Sequence, residues 1–157
     1  MRTRDLARRM VFPLIVACGL AQGPAKPNFN GVWKMDPARS DYPAGPVSES
    51  RLDRIAIDGG NMKDTITQKL RHSDETTYDM IYTIDGKECT NHVNGREVKA
   101  KVRWEGDVLV IDSTVFAIRN AQIEDRWALS GDGKTITLKR HMTGAVTADQ
   151  TVVFDRQ

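Results

Sequence analysis

Asn28-Phe29-Asn30-Gly31-Val32-Trp33-Lys34 decides how the rest of this chain is read. It is a short strand with a Gly two residues before a Trp, followed by an almost unbroken series of β-hairpin signals. A Gly inside a strand lets another backbone or a large ring come close. A Trp brings a large apolar surface and one N–H that needs a partner. At the start of an all-β meander the two together mark the point where a barrel closes on itself.

From Arg51 onward, apolar and polar residues alternate between turn signals, the pattern of half-buried strands. The turns set the register, and the register sets the faces. Asp58-Gly59-Gly60-Asn61 pairs Ile57 with Met62. Asp85-Gly86 joins a strand at about 76–84 to one at about 87–93, which sets Tyr82 against Cys89, Met80 against Asn91 and Tyr78 against Val93. Asn94-Gly95 leads into a strand at 96–104, with Cys89 against Ala100 and Asn91 against Val98. Gly106-Asp107 leads into 108–116, with Trp104 against Leu109, Val102 against Ile111, Val98 against Val115 and Lys101 against Asp112. Gly131-Asp132-Gly133-Lys134 joins 122–129 to 135–142, with Leu129 against Ile136, Trp127 against Leu138, Asp125 against Arg140 and Ile123 against Met142. A last strand covers 148–155. Each turn is chosen locally, yet the apolar sets share one face, and that agreement supports the whole reading.

The fold expected is therefore all-β. About ten antiparallel strands, with no substantial helix outside the N-terminal segment, form an up-and-down meander. Such a meander must curl, split or close, and closure removes exposed edges. A closed barrel over 29–157 is expected, with a flattened or partly open form as the alternative. Residues 36–50 carry Pro37, Pro43 and Pro46, which excludes a long helix and implies an irregular loop.

At 157 residues the chain fits one domain. Residues 1–21 read as an export signal, with Arg2, Arg4, Arg8 and Arg9 ahead of a short apolar run at 10–17. That run is too short to span a bilayer as a helix. The competing reading is a basic arm on a cytosolic protein. Cleavage after Gly19-Leu20-Ala21 would give a soluble periplasmic or secreted protein. Ile15-Val16-Ala17-Cys18 resembles the lipobox of bacterial lipoproteins, which would acylate Cys18 and anchor the chain by lipid alone. Residues 22–28 read as a flexible lead-in. The formal charge is +2; the four Arg and one Asp of 1–21 carry +3, so the remainder stands near −1. No basic patch remains to argue for nucleic acid. Cys89 is then left alone, as a small buried hydrophobe or a free thiol. A monomer is expected.

Phe29-Asn30-Gly31-Val32-Trp33-Lys34 resembles the first-strand motif of the calycins, the lipocalins and fatty-acid-binding proteins, and the meander is similar to theirs through residue 157. The whole chain also resembles small exported bacterial proteins of lipocalin-like shape. The resemblance implies a barrel and a small apolar ligand. It further implies that a late Arg packs over Trp33; Arg140 and Arg156 are the candidates, and Arg156 is preferred because the last strand should pair with the first. Fatty-acid-binding proteins carry a helical lid after the first strand and an Arg-x-Tyr clamp for the carboxylate. Here the lid is replaced by a Pro-rich loop, and Val152-Val153-Phe154 stands where the clamp would be. Lipocalins end in a helix, whereas this chain ends in a strand.

Asp125 and Arg140 face each other on otherwise apolar strands and should pair, since an isolated buried charge is very costly. They are either a ligand anchor or a structural ion pair. Tyr78, Tyr82, Trp104 and Trp127 share the inner face and form either a ligand pocket or plain core; Asn91 is the further polar candidate. His72, His92 and His141 match no metal motif, and Cys89 has no His on its face to activate it. No catalytic residue and no cofactor is expected. The sequence favours a binding protein for a small hydrophobic or amphipathic molecule. An envelope structural or interaction module with a filled barrel is the alternative, and an enzyme using the cavity is a distant third.

Overall fold

The structure is a computed structural model that describes residues 25–117, 119–144 and 146–157. The expected export signal and Cys18 lie outside the described residues. Ten strands follow in chain order: β1 (Gly31–Met35), β2 (Ser48–Asp58), β3 (Asn61–Leu70), β4 (Glu75–Thr83), β5 (Glu88–Val93), β6 (Arg96–Glu105), β7 (Val108–Val115), β8 (Ala121–Leu129), β9 (Thr135–Thr143) and β10 (Ala148–Arg156). Among the described residues there is no helix.

All ten belong to one antiparallel sheet, ordered β4-β3-β2-β1-β10-β9-β8-β7-β6-β5. The last strand joins the first, pairing Trp33 with Arg156 and Met35 with Phe154. The turn-derived registers hold for four hairpins. Ile57 faces Met62, Cys89 faces Ala100, Trp104 faces Leu109, Trp127 faces Leu138 and Asp125 faces Arg140. The inner face along β6 to β10 is mostly apolar, with Val102, Leu109, Ile136, Leu138 and Phe154 wholly buried, and Asp125 and Gln150 as its buried polar members. On the outer face Val110 is equally inaccessible. Its neighbours in register are Arg103 and Arg126, which bond to Glu105, Asp112 and Glu124. Their aliphatic stems cover it while their heads stay in water.

One expected hairpin does not form a ladder. β4 and β5 are the two edges of the sheet and share no backbone pairing, so Tyr82–Cys89, Met80–Asn91 and Tyr78–Val93 are not ladder pairs. After the Asp85-Gly86 turn, Gly86 N–H donates to Val102 O on β6 (2.9 Å) instead of continuing back along β4. The barrel is therefore nearly closed, with one seam. Asn91 bridges that seam: its Oδ1 accepts from Ile81 N–H (2.8 Å) and its Nδ2 donates to Ile81 O (2.9 Å). One side-chain amide thus reproduces the two bonds of a missing ladder pair.

The loop between β1 and β2 is irregular, as its prolines require. It folds over one end of the barrel, where Asp41 bridges Thr151. The buried Gln150 donates to Ala44 O (2.7 Å) and Pro46 O (3.1 Å), holding the loop from beneath.

Candidate functional site

The two ends of the barrel differ in kind. At the end holding the opening motif, Trp33 is fully buried and its N–H donates to Phe29 O (2.8 Å). The Arg156 guanidinium lies 4.1 Å from the Trp33 ring centroid. It also donates to Gly133 O (2.8 Å), Asn30 O (2.6 Å) and Asn28 O (3.1 Å). Gly31 has φ +139°, and a Cβ there would stand 2.7 Å from Arg156 Nη1. The close approach read from Gly31 is thus to a guanidinium, and Arg156 rather than Arg140 is the covering residue. Trp104 also lies at this end, packed on Phe29 at 5.9 Å with the Lys26 ammonium 5.6 Å above its ring. This end is shut.

The other end holds a cavity of about 310 Å³, at the low end of the ~300–1,000 Å³ typical of ligand sites. Its wall includes Tyr78, Tyr82, Trp127, Asp125 and Arg140 from the sequence-derived set, with Ile66, Met80, Val98 and Ile111 as apolar lining. Tyr42 and Pro46 of the loop stand at its mouth. Two members of the expected set fall elsewhere. Trp104 belongs to the shut end, and the amide of Asn91 is taken up by the seam.

Asp125 and Arg140 pair as their register requires, with Nε to Oδ1 and Nη2 to Oδ2 both 2.7 Å. Burial opposes the charge on Arg140, but the Asp125 carboxylate more than compensates and raises its pKa. A second pair of the same geometry lies deeper: Arg51 Nε and Nη2 donate to Asp53 Oδ1 and Oδ2, both at 2.8 Å. Asp53 is fully buried and the Arg51 guanidinium is 5.4 Å from the Phe154 ring centroid. Desolvation works against the charge of Arg51, and Asp53 overcomes it. Burial pushes the Asp53 carboxyl up, with Arg51 opposing.

Asp64, on the neighbouring strand, is 1 % exposed, and its Oδ1 has no hydrogen-bond partner among the described residues. Burial, reinforced by the Asp53 charge, raises its pKa well above the usual carboxylate range. The Trp127 Nε1 is likewise buried without a partner. Gln68 Nε2 donates to the Tyr78 hydroxyl (2.8 Å). Burial raises the pKa of both Tyr78 and Tyr82, which keeps their hydroxyls protonated.

Sequence reasoning stopped short of Arg51, Asp53, Asp64 and Gln68. The signal was available: stepping by twos from the Ile57–Met62 pair puts Ile55, Asp53 and Arg51 inside, opposite Asp64, Ile66 and Gln68. Apolar content alone hides them, because β2 and β3 carry charges on the inner face.

His72, His92 and His141 are exposed, and His141 Nδ1 meets Asp149 Oδ1 at 2.7 Å on the outside. Cys89 is half-buried, its thiol donating to Ala100 O (3.3 Å), and burial raises its pKa. A larger depression of about 420 Å³ crosses the outer faces of β5 to β9. Its charges are of both signs and are paired locally, Lys99 with Glu88, Asp112 with Arg103 and Glu124 with Arg126, as on an ordinary solvated sheet face.

The barrel with one shut end, one cavity end and a seam between two successive strands has the calycin-like fold. Solved structures agree with that assignment. A secretory abundant heat soluble protein from Ramazzottius varieornatus is 16% identical and superposes with a TM-score of 0.64, covering 85% of this chain and 97% of its own. Lipid binding protein 8 from Caenorhabditis elegans is 12% identical, with a TM-score of 0.58 over 82% of this chain and 95% of its own. A Schistosoma mansoni fatty acid binding protein in complex with arachidonic acid is 16% identical, with a TM-score of 0.52 over 82% and 96%. No protein-family profile and no curated protein matches the sequence.

Proposed function

We propose that this chain is an exported binding protein that holds a small hydrophobic or amphipathic molecule in the cavity at the loop end of the barrel. The observation that carries the reading is the cavity itself. It is about 310 Å³, walled by Tyr78, Tyr82, Trp127 and aliphatic side chains, with the polar groups of Arg51, Asp64, Gln68, Asp125 and Arg140 set among them. An apolar enclosure with a small number of placed polar groups is the usual form of a ligand site. Structures of the same fold include proteins named for binding lipids and fatty acids. Export rests on the basic and apolar pattern of residues 1–21, and "secretory" in the name of a structural neighbour is in keeping with it. Cys18 is the lipidation candidate, so membrane attachment would be through an acyl anchor alone. The action proposed is binding, the activity for which structures of the same fold are named.

The packed end of the barrel favours a second reading, a structural module of the envelope. One experiment separates them. Native mass spectrometry of protein purified gently from its own host should show a retained small molecule. A bare mass, together with no uptake of a fluorescent apolar probe, would refute the binding reading.

A further inference from the structure

The polar groups of the cavity wall specify more than an apolar ligand, if the wall binds one as proposed above. Its two inward cations are already engaged. Arg51 is held bidentately by Asp53 and Arg140 by Asp125, all four bonds at 2.7–2.8 Å. The remaining wall cation, Arg96, is at the exposed rim. A free carboxylate entering the cavity would therefore find guanidinia whose charge Asp53 and Asp125 already neutralise, with only their outer Nη donors left to it. It would also add a negative charge beside the carboxylates of Asp53 and Asp125, which costs heavily in a low-dielectric interior.

Two buried side-chain polar atoms lack a partner among the described residues, Asp64 Oδ1 and Trp127 Nε1. Both residues line this same cavity. One is an acceptor on a carboxyl and the other is a pure donor. Buried polar atoms are rarely left unbonded, and a site with such atoms discriminates strongly for a ligand that satisfies them. Burial also holds Asp64 toward its neutral form, so it makes no demand for a cation. Size narrows the choice further: at roughly 30 Å³ for each water-sized group, the cavity takes on the order of ten heavy atoms.

We propose that the cavity is built for an uncharged amphiphile of about that size whose polar head both donates and accepts hydrogen bonds, an alcohol rather than a free fatty acid, with Asp64 and the Trp127 indole N–H as its partners.

The test is calorimetric titration of the full chain, freed of lipid, with 1-octanol, octanoate and octylammonium. Octanol should bind at least ten-fold more tightly than either charged analogue. In Asp64→Leu, octanol affinity should fall about ten-fold and the preference over octanoate should shrink. Trp127→Phe should weaken octanol independently, which keeps the test open if Asp64→Leu does not fold. Octanoate or octylammonium binding as tightly as octanol overturns the proposal while leaving a binding cavity in place. So does octanol binding unchanged in both folded variants, which would mean that ordered water satisfies the two atoms. Failure of all three probes to bind overturns the cavity reading itself, and the proposal with it.

Discussion

Replacing Gly31 with Ala tests the closure of the barrel at one atom. The new Cβ would stand 2.7 Å from Arg156 Nη1 and 3.9 Å from Trp33 Nε1. Two costs follow. The backbone at φ +139° is strained for any residue with a Cβ, by about 1–3 kcal/mol. The guanidinium must also move, and it cannot do so freely. It is bonded to Asn28 O, Asn30 O and Gly133 O and lies over the Trp33 ring. The cation–π contact alone is worth about 0.5–2 kcal/mol, and weakened bonds to the carbonyls add to it. Gly31→Ala should therefore lower the stability by about 3 kcal/mol in a urea or guanidinium titration. The two costs separate in a double-mutant cycle with Arg156→Ala. Without the guanidinium, Gly31→Ala should cost only the backbone strain, so a coupling of about 1–2 kcal/mol is expected. A cost below about 0.5 kcal/mol in the wild-type background would refute the argument. An equal cost in both backgrounds would show that Arg156 is not what Gly31 makes room for.

Asp125→Ala should destabilise by about 3 kcal/mol because it leaves Arg140 unpaired, with the figure at the low end since Arg140 keeps some contact with solvent. The Asp125→Leu/Arg140→Met double variant should lie within about 1 kcal/mol of wild type; an equal or larger loss would mean the pair is itself stabilising. Asn91→Ala should open the seam, at a cost of about 1–2 kcal/mol for two hydrogen bonds. The diagnostic readout is hydrogen exchange at the Ile81 amide, which should quicken ahead of its neighbours on β4, and unchanged protection there would refute the bridge. Asp64 gives a pH signature. Its folded-state pKa is raised, chiefly by burial, so its contribution is fully present below the unfolded Asp value near 3.9 and is lost as pH rises toward the folded value. Asp64→Asn should match wild type near pH 3.5 and then gain on it by about 1.4 kcal/mol per pH unit through that window. A stability difference that stays flat from pH 4 to 8 would refute a neutral buried carboxyl.

The turns carried most of the fold because their chemistry is local. Asn94-Gly95, Gly106-Asp107 and the Gly131–Lys134 turn each fix a register within a few residues. A register fixes which side chains share a face, so the Asp125–Arg140 pair could be placed from the sequence. The same rule, carried further along β2 and β3, reaches Arg51, Asp53 and Asp64. An Arg over Trp33 was implied by the calycin resemblance, and Arg156 was preferred to Arg140 because the last strand had to meet the first.

Three matters were decided by the tertiary structure. The seam at β4–β5 depends on how far the sheet curves before its edges meet, and Asp85-Gly86 does not encode that. The separation of Trp104 from Trp127 depends on position along the barrel axis, because alternation reports the face of a residue and not its depth. The partnerless state of Asp64 and Trp127 depends on every atom around them. Sequence period and turn chemistry act over a few residues, whereas depth, closure and hydrogen-bond satisfaction are sums over strands far apart in the chain.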